Sequence, residues 1–329
     1  MMIRDLCPIH IFHPSCVKND LKILIYSSKL RFFDHFCLAG TKTIFRAKVS
    51  IKIIGYLFLP LMALASPALA SFIPQQTPVP GGLLLIDLPN QTQPPEIYFQ
   101  KHRVMTIKQQ GKWQAVVGLP LTLKPGTHHL TNTNGEQQIA FNIEKMEYES
   151  QYITVKNKRH INPNKLDMDR IGKESAQIKA ALRAWRDSEP TLPELTLPVQ
   201  GRLSSPFGLQ RYFNQQPRKP HSGTDIAAPK GTPILSPADG IVTRHGEYFF
   251  NGNTVFIDHG QGLITMYCHM DEITVQEGEK VKQGDQLGTV GTTGRSTGPH
   301  LHWGVSLNDA RINPALLSPA LQRLQQSSP

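Results

Sequence analysis

From Leu83 to about Lys158, apolar residues come in short runs separated by turn-forming residues. The stretches "GLLLIDLP", "HRVMTIKQQGKWQAVVGLPL", "KPGTHHLTNTNGEQQIAFNI" and "SQYITVKNK" carry the pattern. Gln110-Gly111 and Asn134-Gly135 sit between such runs, where hairpin turns favour residues that accept positive φ. Strands at this spacing predict a small β-sandwich of immunoglobulin-like form over residues 71–160. The period then changes. Leu166, Ile171, Ile178, Leu182 and Trp185 recur at helical spacing and Pro190 ends the run, which predicts one amphipathic helix with a docking face. Pro190, Pro193 and Pro198 read as a semi-rigid linker, so 161–200 is helix plus linker. Over 201–318 glycines become dense and strand-like runs alternate with tight turns, which predicts a compact all-β region of barrel-sandwich type. Residues 319–329 read as a polar tail. The fold class expected is mostly β, with an N-terminal β-sandwich, one linking helix and a C-terminal all-β domain.

Upstream of these elements lies a different texture. In "VSIKIIGYLFLPLMALASPALAS", Lys52 precedes an apolar run from Ile53 to Ala65, and Ala68-Leu69-Ala70 follows. Charged, apolar and small-residue parts in that order predict a secretory signal over 49–70, cleaved after Ala70. The run is shorter than the roughly 20 residues of a comfortable membrane span, so a membrane anchor is expected only if the signal is retained. Residues 1–48 show no clear periodicity and read as an extension from a start codon assigned too far upstream.

Net charge then looks different from its total. The chain carries 35 Lys and Arg against 25 Asp and Glu, a formal +10. Nine of the bases and three of the acids fall in residues 1–70, so 71–329 is only about +4. That removes most of the support for a nucleic-acid partner. Three of the four cysteines (Cys7, Cys16 and Cys37) also lie in 1–48. An exported chain beginning at residue 71 keeps Cys268 alone and forms no internal disulfide.

Candidate chemistry concentrates in the C-terminal β region. "GPHLHWGV" sets His300 and His302 two residues apart, on one face if the segment is a strand. "KPHSGTDIAAPKGTP" offers His221 and Asp225, and on an extended segment i and i+4 also share a face. "MYCHM" adds His269. Imidazole nitrogen and carboxylate oxygen suit Zn²⁺, and three protein ligands with an open position mark a catalytic site. Such an ion brings the pKa of bound water to about 7, and further histidines beside it move protons or support an oxyanion. Taken singly, an H-x-H or H-x-x-x-D motif is weak and is common on ordinary surface strands. Several of them, flanked by Gly and Pro that fix the backbone, are stronger.

Other histidines read as structural. His128 and His129 are adjacent and face opposite ways on a strand. His245, His259 and Asp258 have no partner at ligand spacing and are assigned to turns. "GTTGRSTGPH" lacks the Gly-Lys-Ser/Thr ending of a phosphate loop and reads as the wall of a substrate groove. Cys268 faces away from His269 on a strand and reads as a packing residue.

The motifs "HSGTDIAAPKGTPILSPADGIV", "GNTVFIDHGQGLITMYCHM" and "VKQGDQLGTVGTTGRSTGPHLHWGV" closely resemble the lysostaphin/LytM-type zinc metallopeptidases, which cut peptide bonds in bacterial peptidoglycan. The resemblance runs over about Arg202–Leu316. It implies one zinc ion held by His221, Asp225 and His302, with His269 and His300 as non-ligand catalytic histidines, their roles not divided between them. It also implies that Tyr212, nine residues before the first ligand, is aimed at the oxyanion. Less specifically, the preceding β region is similar to the immunoglobulin-like domain of exported Gram-negative members. The expectation is an exported periplasmic zinc endopeptidase acting on peptidoglycan stem peptides or cross-links, with a regulatory protein partner as a further option. The alternative is a catalytically dead murein-binding relative or activator of another hydrolase, against which all five key positions are filled; a periplasmic adaptor or carrier, suggested by the lipoyl-like texture of "VKQGDQLGTVG", leaves the histidines unexplained.

Overall fold

The computed structural model describes residues 72–327. The expectations of an upstream extension over 1–48 and of a signal over 49–70 lie outside the described residues. Among the described residues, no helix is long and apolar enough to cross a membrane.

Residues 83–143 form strands β1 (Leu83–Asp87), β2 (Tyr98–Phe99), β3 (His102–Arg103), β4 (Met105–Gln109), β5 (Lys112–Gly118), β6 (Gly126–Thr131) and β7 (Gln137–Ile143). They build two sheets, in orders β1-β5-β4 and β3-β2-β6-β7. Gln110 and Gly111, with φ of 49° and 81°, close the two-residue turn in which Gln109 pairs with Lys112. Alternation along β5 decides what each sheet face touches. Trp113, Ala115 and Val117 pack with Phe99, Leu130 and Ile143 of the second sheet, which makes the sandwich core. Val116 faces the other way. With Leu83, Met105 and Ile107 it enters the core of the C-terminal region. Full burial of an aliphatic side chain stabilises by about 1.5–3 kcal/mol, so these four residues contribute on the order of 6–12 kcal/mol. The sandwich is therefore joined to the rest by a shared core.

After β8 (Ser150–Ile153) the chain enters helix α1 (Lys165–Leu182). Asn164 caps it: its side chain accepts from Asp167 N–H, and the Asp167 carboxylate returns to the Asn164 N–H. The helix stops eight residues before Pro190, and its apolar stripe is not the one the spacing suggested. Leu166 and Met168 are exposed at 78% and 54%. Apolar packing is confined to the C-terminal end, where Ala181, Leu182 and Ile178 pack on Tyr248, Phe256 and Met266. The N-terminal turns are held by polar contacts, an Arg159–Asp167 ion pair and the Glu174 carboxylate accepting from Phe249 N–H. Trp185 lies beyond the helix, beneath the Arg103 guanidinium at 4.6 Å.

The C-terminal region comprises β9 (Arg202–Ser205), β10 (Gln210–Phe213), β11 (Gln216–Pro217), β12 (Thr224–Ala227), β13 (Pro233–Leu235), β14 (Gly240–Tyr248), β15 (Gly252–Asp258), β16 (Leu263–Ile273), β17 (Lys280–Val281), β18 (Gln286–Val290), β19 (His300–Leu307) and β20 (Ala310–Ile312). Ten of them make one sheet with the spine β17-β14-β15-β16-β19-β12-β9, and no barrel closes among the described residues. A separate small sheet has the order β11-β10-β8, in which β8 runs parallel to β10. The segment read as a polar tail instead forms helix α2 (Pro319–Ser327). Leu321 is fully buried and Leu324 packs on the same core. The Ser318 hydroxyl accepts from Leu321 N–H at the helix start. Two leucines at i and i+3 in a polar stretch suffice to dock one helix face.

Candidate metal centre

Three neighbouring strands of the large sheet carry the cluster. Asp225 on β12 lies directly across from His302 on β19, and Ala227 lies across from His300. On the other side of β19, His302 pairs with Cys268 of β16, next to His269. His221 precedes β12 in an extended segment. Its imidazole Nε2 stands 3.0 Å from Asp225 Oδ1 and 3.0 Å from His302 Nδ1, while His302 Nδ1 is 2.7 Å from Asp225 Oδ1. All three groups are largely shielded from solvent.

The backbone sets which nitrogen is offered. His221 Nδ1 donates to the Pro206 carbonyl at 2.8 Å, which leaves the Nε2 lone pair pointing into the cluster. Two ring nitrogens and a carboxylate oxygen thus converge on one point, and these three residues are a group able to hold a metal ion. The donor set fits Zn²⁺. Gly223 is part of the construction: a Cβ there would meet the Trp303 carbonyl at 2.6 Å and His302 Nε2 at 2.7 Å. A side chain would displace the ring it packs against.

His269 and His300 stand beside this cluster, their ring centroids 4.8 Å apart. His269 Nδ1 donates to the Thr293 carbonyl at 2.8 Å, and His300 Nδ1 donates to the Gly298 carbonyl at 2.9 Å. Both rings therefore keep Nε2 as the free lone pair. His300 Nε2 lies 3.9 Å from Asp225 Oδ1. His269 takes φ +63°, an uncommon conformation for a non-glycine residue, and its N–H donates to the Asn251 carbonyl. Burial, followed by the neighbouring His300 and His302, lowers its pKa to about 3. Burial likewise lowers His302 to about 4. Burial pushes the Asp225 carboxyl up, but its contacts with His221 and His302 more than offset this and hold it well below the usual carboxylate range.

A cavity of about 300 Å³ opens beside the cluster, bounded by Asp225, His300, Arg211 and Gln151, with Thr297 to Pro299 on one side. The loop read as a groove wall thus borders this space. Tyr212 is not brought to the cluster. Its ring stacks on Tyr152, with centroids 4.8 Å apart. The alternation of β10 turns the preceding residue, Arg211, toward the metal-binding carboxylate, and Nη2 donates to Asp225 Oδ2 at 2.6 Å. Sequence reasoning missed Arg211 and Gln151. A strand assignment for 210–213 would have raised Arg211, while nothing local marks Gln151. His259, His128 and Asp258 make ordinary structural contacts. His259 joins the Asp239 carbonyl to Thr265, His128 donates to the Lys124 carbonyl, and Asp258 binds Arg186 and the Gly260 N–H. Cys268 is buried among Phe256, Ile264 and Met266.

With the fold and the cluster in view, comparison with known proteins places the chain. The profile of "Peptidase family M23" matches residues 219–314, and that of the "Peptidase family M23 N-terminal domain" matches 76–145. A crystal structure of a peptidase M23 from Pseudomonas aeruginosa is 43% identical over 74% of this chain and 96% of its own, with a TM-score of 0.63. The chain belongs to peptidase family M23. Among curated relatives, the DD-carboxypeptidase/endopeptidase Mpg of Neisseria meningitidis serogroup B is 41% identical over 40% of this chain. The peptidoglycan DD-endopeptidase ShyC of Vibrio cholerae serotype O1 is 46% identical over 34% of it. These alignments cover 31% and 26% of the relatives, so the chain matches less than a third of their length.

Proposed function

We propose that this protein is an exported zinc endopeptidase that hydrolyses peptide bonds in peptidoglycan, at stem peptides or their cross-links, in the periplasm of a Gram-negative cell. The observation that carries the reading is the convergence of His221 Nε2, His302 Nδ1 and Asp225 Oδ1 beside two histidines whose Nε2 atoms are free. The names of the curated relatives, DD-endopeptidases of peptidoglycan among them, support the substrate class.

His221, Asp225 and His302 are the residues that would hold the ion. When bound, zinc supplies Lewis-acid activation of water and of a carbonyl oxygen. The chain's own residues supply the proton chemistry. His269 is neutral at pH 7 because burial disfavours its cation, so its Nε2 offers an acceptor lone pair, though as a weaker base than an exposed imidazole. His300 presents Nε2 at the edge of the cavity, where it can donate to or accept from a substrate atom. The carbonyls of Thr293 and Gly298 keep both rings in that tautomer throughout.

The test is muropeptide release from purified sacculi, read by mass spectrometry. The parent protein is expected to release cross-link or stem-peptide fragments, to stop with a zinc chelator, and to recover with added zinc. His302→Ala is expected to lose both zinc and cleavage. Undiminished cleavage by His302→Ala, or sacculus binding without any cleavage by the parent, overturns the reading.

A further inference from the structure

Asp225 has two carboxylate oxygens, and they have different partners. Oδ1 faces His221 and His302. Oδ2 accepts from Arg211 Nη2 at 2.6 Å. The same guanidinium is fixed from two further sides. Its Nη2 also donates to Ser205 Oγ at 3.0 Å, and its Nε donates to Gln151 Oε1 at 3.1 Å. Ser205 Oγ in turn donates to Gln151 Oε1 at 3.3 Å. Arg211 and Asp225 side chains are only 17% and 9% exposed, so water competes weakly for these bonds.

Strand pairing explains how Gln151 reaches the site. β8 runs parallel to β10 with Gln151 opposite Arg211, Tyr152 opposite Tyr212 and Ile153 opposite Phe213. In that register paired side chains leave the same face. The tyrosine pair stacks on one side, and the Gln151–Arg211 pair meets Asp225 on the other. Gln151, Ser205 and Arg211 all lie between the two stretches that match the family profiles, 76–145 and 219–314.

We infer that Arg211 and Gln151 are positioning residues for the metal-ligating carboxylate. Gln151 holds the guanidinium, the guanidinium holds Oδ2, and Asp225 is left to offer Oδ1 alone. The inference rests on the reading of His221, Asp225 and His302 as a zinc site. A carboxylate whose second oxygen is tied does not have to be ordered when the ion arrives, and outer partners of this kind are typically worth 10–100-fold in metal affinity. The role needs a planar fork that serves three acceptors at fixed angles, which a lysine ammonium does not provide.

Two charge-conserving variants test this in the full chain, so that any change reports geometry and not altered repulsion of a cation. They are Arg211→Lys and Gln151→Met; the second leaves the backbone pairing of β8 and β10 in place. Zinc affinity is read by competition with a chromophoric chelator, site geometry by the visible spectrum of the cobalt(II)-substituted protein, and folding by circular dichroism of the apoprotein. Arg211→Lys is expected to bind zinc 10–100-fold more weakly than the parent and Gln151→Met about tenfold more weakly. Both are expected to show a shifted cobalt spectrum with an unchanged apoprotein fold. If both folded variants bind zinc within twofold of the parent and keep its cobalt spectrum, the positioning role is overturned while the zinc site stands. If the parent itself binds no zinc, or His302→Ala binds it equally well, the zinc site falls and this inference with it.

Discussion

Asn308 closes a double hydrogen bond on the backbone of Gly118: Gly118 N–H donates to its Oδ1 at 2.7 Å, and its Nδ2 donates to the Gly118 carbonyl at 3.0 Å. The two residues lie 190 positions apart, at the end of β5 and in the turn between β19 and β20. Asn308 and Asp309 both take positive φ, 44° and 61°, as a two-residue hairpin turn requires. The side chain that suits the turn also supplies the clamp. Asn308→Gly keeps the turn and orphans both backbone groups of Gly118. It is expected to cost about 2–3 kcal/mol, with Asn308→Ala costing more because alanine is strained at this φ. Urea unfolding checks the size and order of these losses. Tryptophan fluorescence and circular dichroism should report one coincident transition in each protein.

The two histidines outside the metal-binding group separate from the ligands by their effect on metal. His269→Ala and His300→Ala are each expected to retain stoichiometric zinc while kcat falls about 10²–10⁴-fold. Metal analysis beside muropeptide release decides the point. Zinc loss in either variant would move that histidine into the ligand set.

Gly223 has a sharper requirement than its neighbours. Gly223→Ala must shift the Trp303 backbone or the His302 ring, since a Cβ would stand 2.6–2.7 Å from both. Zinc content and peptidoglycan cleavage are expected to fall together in this variant. A protein with full zinc and parental activity would show that the ring has room the structure does not reveal.

His259 ties the Asp239 carbonyl to Thr265, and burial lowers its pKa from an ordinary 6.5 to about 4. The sign follows from which state binds the proton. Below pH 6.5 the unfolded chain protonates this residue, and the folded chain does so only near pH 4. Its neutral form therefore contributes stability that is complete above about pH 6.5 and is lost as pH falls toward 4. His259→Gln is expected to flatten the fall of melting temperature between pH 7 and pH 4.5 relative to the parent. An identical slope in the two proteins would remove His259 from the acid response.

Much of this molecule is readable residue by residue. The pairs His221 with Asp225 and His300 with His302 were legible because i, i+4 and i, i+2 on extended segments share a face, while the choice of ligands among them came from the resemblance to the lysostaphin/LytM-type peptidases. The hairpin at Gln110-Gly111 was legible because its φ values admit few residue types. What escaped depended on partners far along the chain. "SQYITV" reads as a strand, but nothing in it names β10 as its neighbour or parallel as its direction, so Gln151 stayed invisible. Tyr212 drew attention through the resemblance, as a tyrosine ahead of the first ligand, whereas the alternation of β10 turns Arg211 toward Asp225. The helix stripe misled because only the C-terminal end of α1 packs apolar side chains on the sheet, while its first turns are anchored by charge. The final helix escaped because two leucines in a polar stretch look like a tail until a core is available to receive them.

The strip formed by β1, β5 and β4 feeds side chains into two interiors at once, and that has a consequence for how the two regions hold together. A layer that serves as floor to one chamber and ceiling to the next has no seam along which it can part. The leading sandwich is in effect masonry, bonded to the next chamber through Leu83, Met105, Ile107 and Val116.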